Sequence, residues 1–76
     1  MGIGLDELTT GNCAEISTLE QTGSIAGRLA ALGFVPGMQV AMVQNFGRGP
    51  IIVSIINTRV ALGRREARVI RLRGIT

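Results

Sequence analysis

Histidine, lysine, tryptophan and tyrosine are all missing from this chain, and cysteine occurs once, as Cys13. Without histidine the commonest general base is absent, and Cys13 has nothing to activate it as a nucleophile. A Cys/His zinc cluster fails for the same reason, and a lone cysteine builds no disulfide framework. Acids are few: Asp6, Glu7, Glu15, Glu20 and Glu66. Scattered in this way, they offer neither a carboxylate pair in a pKa-shifting pocket nor a cage of oxygen ligands for a hard cation. The expectation is a protein that is not an enzyme and has no catalytic, metal-binding or cofactor-binding residues.

Other absences narrow the partners. Phe34 and Phe46 are the only aromatics. That removes the stacking platforms on which single-stranded nucleic acid is held and the aromatic groove that takes proline-rich peptides. No apolar run approaches the roughly 20 residues of a membrane helix. The opening Met1-Gly2-Ile3-Gly4-Leu5-Asp6 has no basic region, and Asp6 stands where a myristoylation pattern wants serine or threonine. A cytoplasmic location without direct membrane insertion is expected, and the single thiol agrees with a reducing compartment.

What is present is a single small domain, 1–76, with 46% hydrophobic residues, which excludes disorder. A chain of this size buries only about 60% of its unfolded surface, so good packing, a homodimer contact or a larger partner has to supply the remaining stability. The net charge is +3, carried by eight arginines, five of them after residue 60 (Arg64, Arg65, Arg68, Arg71, Arg73). Four of the acids lie in the first twenty residues. This asymmetry marks either a surface for an acidic partner or nucleic acid, or a solvated strand face. The shortage of aromatics disfavours nucleic acid.

Along the chain, Leu5 and Leu8 fit one helical turn, and Ala14 and Ile16 alternate with Glu15 and Ser17 in a strand over 12–19. Gln21-Thr22-Gly23 breaks it. Ile25, Leu29 and Leu32 recur at helical spacing and predict one short helix over about 24–32, capped by Thr22 or Ser24 and ended by Gly33. Pro36-Gly37 predicts a type II turn into a strand over 39–45, with Val40 and Met42 on one face and Ala41 and Val43 on the other. Phe46 to Pro50 reads as a loop. Ile51 to Ile56 is a β-branched run, apolar on both faces, and is expected to be the central strand. Asn57-Thr58 predicts a tight turn to a strand over 59–62, 63–67 another turn, and 68–73 the last strand. The fold expected is mainly β, a closed or nearly closed small barrel of about five strands with one inserted helix.

The apolar side chains at the turns are the candidates for docking. Phe46 sits in a Gly-rich loop, while Met38 and Met42 flank the Pro-Gly turn, and methionine packs adaptably. Arg48 in the same loop and the Arg64-Arg65 pair complete the candidate partner-binding set.

Arg28-Leu29-Ala30-Ala31-Leu32-Gly33-Phe34-Val35-Pro36-Gly37 resembles the helix-to-turn signature of the ferrous iron transport protein A (FeoA) family. Leu8 and Gly11, Pro50 with the strand after it, Ala61-Leu62, Glu66-Ala67 and Ile70 extend the likeness over nearly the whole chain. The resemblance implies an SH3-like barrel with an inserted helix, in which Leu29 and Leu32 plug the barrel mouth. It implies a small cytosolic accessory or regulatory protein of ferrous iron uptake. Its partner would be the FeoB transporter, through that protein's cytosolic G-protein region. No catalytic residues carry over. A role for Arg48 or Arg64 as an arginine finger in the transporter's nucleotide site is the weaker variant of this reading. The alternative is a regulatory or nucleic-acid-binding module, because the C-terminal domains of metal-dependent repressors share the barrel. The expectation that no DNA-binding helix precedes the domain favours the transport accessory.

Overall fold

The computed structural model describes residues 2–20 and 23–76. The break at Gln21-Thr22 and the alternative cap at Thr22 lie outside the described residues. A single 3₁₀ turn (Leu5–Glu7) leads into β1 (Cys13–Leu19), α1 (Ser24–Ala31), β2 (Gln39–Gln44), β3 (Ile51–Ile55), β4 (Thr58–Leu62), α2 (Arg64–Arg68) and β5 (Ile70–Arg73). All five strands pair antiparallel in one sheet of order β4-β3-β2-β1-β5.

The alternation read in the sequence decides which side faces the core. Ala14 and Ile16, Val40 and Met42, Ile51, Val53 and Ile55, and Ile70 and Leu72 are all buried and line one side of the curved sheet. Leu5, Leu8, Leu29, Phe34, Leu62, Ala67 and Val69 close over them in one cluster. The central strand is β2, and this corrects the expectation for β3. Ile52 and Ser54 on the other face of β3 are only half-buried, so that run is apolar on both sides without being covered on both.

Two backbone devices connect α1 to β2. Gly33, at φ 105°, donates to the Ala30 carbonyl at 3.0 Å, and Phe34 N–H reaches the Leu29 carbonyl at 3.0 Å. This is a Schellman ending, which a Cβ at position 33 would strain. It swings Phe34 into the core, where it is fully buried. Leu32, expected beside Leu29 as a plug, is the helix C-cap and is 46% exposed. Next, Val35–Met38 forms the type II turn, with Gly37 at φ 91° and a 3.1 Å bond from Met38 N–H to the Val35 carbonyl. Gly37 N–H also donates to the Ile16 carbonyl at 2.8 Å, fixing the turn to β1.

Of the two forms expected, closed or nearly closed, the barrel is not the closed one, because β4 and β5 are the two ends of the sheet and do not pair. Two further expectations are corrected. The segment expected as a turn after Leu62 is α2, a second helix. Arginine, glutamate and alanine are good helix formers, and Glu66 Oε1 accepts the Gly63 N–H at 3.1 Å, satisfying a donor at the helix start. α2 packs on the 3₁₀ turn and bridges the gap between the sheet's ends. Finally, the β3–β4 turn is Ile56-Asn57, with both residues at positive φ (49° and 58°), one position earlier than read. Such a pair matches the twist of a hairpin, although isoleucine is an unusual occupant.

Candidate docking surface

The β2–β3 loop is built on Asn45. Its amide donates to the Asp6 carbonyl at 3.0 Å and the Leu8 carbonyl at 2.8 Å, and its Oδ1 accepts the Gly47 N–H at 2.9 Å. The last bond is an Asx turn, in which the side chain replaces a backbone carbonyl and bends the chain. Asn45 N–H donates to Thr10 Oγ1 at 2.9 Å. Arg64 enters from the start of α2, donating to the Asp6 carbonyl at 3.0 Å through Nη1 and to Asn45 Oδ1 through Nη2. One asparagine and one arginine thus tie loop, 3₁₀ turn and α2 together. The latch is polar and not saturated: Asp6 Oδ1 and Arg64 Nε are buried without a partner among the described residues.

This base holds Phe46 out in solvent, where it is 76% exposed. Arg48 is exposed two residues further along the loop, and Arg65 is exposed on the first turn of α2. Arg64 belongs to the latch, so its guanidinium is not free to act as an arginine finger. Met42 is 2% exposed and packs in the core, which corrects its expected role as a contact for a partner. Met38 is half-buried against the core and lines an open groove of about 340 Å³ with Cys13, Gln39, Ala41, Ser54 and Ile56. The six residues of β2 separate Met38 from Asn45, roughly 20 Å. The candidates therefore fall into two places: Phe46, Arg48 and Arg65 around the latch, and Met38 at the far end of β2.

Sequence reading missed Asn45. Its local signal was the Asn-x-Gly spacing of an Asx turn; Arg64, its partner, is remote in sequence and gave none.

The charge asymmetry also resolves differently in three dimensions. Arg73 reaches Glu15 at 2.7 Å, Arg71 reaches Glu20 at 3.7 Å, Arg68 reaches Asp6 at 3.9 Å, and Arg28 pairs with Glu66. The Glu15–Arg73 pair follows from register, since the two residues are directly opposed on β1 and β5. The arginines of β5 are thus engaged and form no free basic stripe. Among the described residues, those without an acidic partner are Arg48, Arg59, Arg64 and Arg65.

Residues 3–74 match the FeoA domain, nearly the full chain. This chain belongs to the FeoA domain family. Among solved structures, an iron uptake regulatory protein (FeoA) superposes with a TM-score of 0.90 at 25% identity, covering 96% of this chain and 97% of that one. FeoA of Stenotrophomonas maltophilia, complexed with zinc and described as a prokaryotic SH3 domain protein, gives 0.85 at 33% identity over 93% of this chain and 89% of that one. The open five-stranded sheet with its small helices is therefore an SH3-like fold. A manganese-dependent transcriptional repressor gives 0.84 at 18% identity over 93% of this chain and 40% of that one, which is a likeness of fold alone. No curated protein matches the chain in sequence.

Proposed function

We propose that this FeoA-family chain is a cytoplasmic accessory of ferrous iron uptake that works by binding rather than catalysis, and that it docks on the cytosolic G-protein region of a FeoB-type transporter. Family membership supports the pathway. The structural neighbours point the same way, one described as an iron uptake regulatory protein and another as possibly acting as a ferrous iron transport activating factor. The observation that carries docking is Phe46, a large aromatic 76% exposed on a loop whose base is fixed by Asn45 and Arg64. A preorganised aromatic costs little ordering entropy on binding, which is the profile of an interface anchor.

Calorimetry of this protein against the purified cytosolic G-protein region tests the reading. Binding is expected, and Phe46→Ala should weaken it by about 1 kcal/mol or more. No binding at tens of micromolar would overturn the partner; unchanged affinity of the variant would overturn the anchor.

A further inference from the structure

The two ends of the sheet are treated differently. At the β5 end, the N-terminal segment lies along the edge: Gly4 bridges to Arg71, and Leu72 N–H donates to the Ile3 carbonyl at 2.8 Å. Among the described residues the β4 end has no such cover. Ile55 and Thr58 face each other across the two-residue turn, and the register runs without a bulge to Ile51 and Leu62. In that register Thr58, Val60 and Leu62 bond to β3, while the N–H and C=O groups of Arg59 and Ala61 point away from the sheet. No other hydrogen bond engages those groups among the described residues. Arg59 and Ala61 are exposed and Val60 half-buried. Edges left open are usually blunted by proline, a bulge or charge, and here a single arginine is the only such device.

Charge says what would fit. Between Glu20 and Glu66 the chain carries no acid at all. The arginines without an acidic partner, Arg48, Arg59, Arg64 and Arg65, are all on or beside the β3–β4 hairpin, since Ile51 opposes Leu62 and so brings the loop of Arg48 next to the start of α2. The arginines without an acidic partner thus gather around the β3–β4 hairpin, with Arg59 on the open edge itself.

The geometry points to the outer edge of β4 as a strand-addition site for an extended acidic segment of another polypeptide. An added antiparallel strand would exchange backbone bonds with Arg59 and Ala61, about 7 Å apart. It would set an acidic side chain opposite Arg59 and an apolar one opposite Val60. A second copy of this chain fits less well, because two-fold pairing about Val60 brings the two Arg59 side chains onto one face at diagonal positions, about 7–8 Å apart. This site goes beyond the docking proposed for Phe46 and does not depend on it.

The test uses the intact protein and a blocked octapeptide alternating glutamate and valine, followed by amide exchange and by calorimetry. Binding should slow exchange at the Arg59 and Ala61 amides at least about tenfold. It should weaken at least about tenfold in Arg59→Glu, and fade with added salt. Ala61→Pro should abolish it, and because the Ala61 N–H makes no ladder bond the sheet should survive that change. If Ala61→Pro does not fold, Arg59→Glu and the exchange pattern decide. Phe46→Ala should leave peptide binding intact, which separates this site from the transporter reading. Equal affinity for a peptide with lysine in place of glutamate would overturn the proposal. So would binding without protection at Arg59 and Ala61, or a preference for a single-stranded oligonucleotide. A sedimenting dimer that Ala61→Pro dissociates would give the edge to a second copy and overturn it as well.

Discussion

Replacing Asn45 by alanine removes four side-chain hydrogen bonds at once: those to the Asp6 and Leu8 carbonyls, and those from Gly47 N–H and Arg64. Each is worth about 0.5–1.5 kcal/mol net, but the four losses are unequal. Gly47 is exposed, so its N–H turns to water. The Asp6 carbonyl keeps Arg64. The Leu8 carbonyl and the Arg64 fork are left in a part-buried site with fewer partners, and they set most of the cost. The expected destabilisation is about 2–3 kcal/mol, a fall in melting temperature on the order of 10–20 °C for a domain of this size. With no tryptophan or tyrosine in the chain, urea unfolding is best followed by far-ultraviolet circular dichroism. Arg64→Met should couple to it, so that the double variant loses less than the sum of the two single changes. A loss below about 0.5 kcal/mol for Asn45→Ala, or strict additivity with Arg64→Met, would show that the latch does not hold the loop.

Met42→Ala, at a position 2% exposed, should cost about 2–5 kcal/mol in a urea melt, whereas Phe46→Ala, at 76% exposure, should stay within about 0.5 kcal/mol of the parent. Ile56→Asn should raise stability by about 1 kcal/mol, seen as a higher thermal midpoint, because asparagine accepts the positive φ of that turn and the isoleucine side chain is largely exposed. Gly33→Ala should lower stability by about 1–2 kcal/mol in the same assay. A Cβ there would lie 2.8 Å from Ile56 Cδ1, but that methyl can swing aside, so the φ of 105° sets the cost.

What could be read from the sequence was local. The Schellman ending at Gly33 and the type II turn at Pro36-Gly37 follow from residue types that few other conformations suit. The alternation in β1 placed its polar face outward. β2 shows where this fails: Val40 and Met42 share a face, but Ala41 and Val43 opposite are apolar too, so the pattern could not say which pair met the core. Met42 was accordingly assigned to a partner when it belongs to the interior. α2, at five residues, is too short for helical periodicity to register and reads as a turn.

The arginines make the same point about long-range pairing. Their crowding after residue 60 left two readings open, a basic surface for a partner or a solvated strand face. However, β5 lies antiparallel to β1, and the acids gathered at the start of the chain are carried to the arginines gathered at its end. Glu15 meets Arg73 and Glu20 meets Arg71, while Asp6 meets Arg68 from the 3₁₀ turn. Three of the five late arginines are paired in this way, while Arg64 and Arg65 keep no acidic partner and join Arg48 and Arg59, from the stretch empty of acid, around the β3–β4 hairpin. A charge map drawn along the chain and one drawn on the fold therefore differ: the second takes the arginines of β5 out of the free set and adds Arg48 and Arg59 to it. Only the second finds positive charge and unpaired backbone on the same strand, β4.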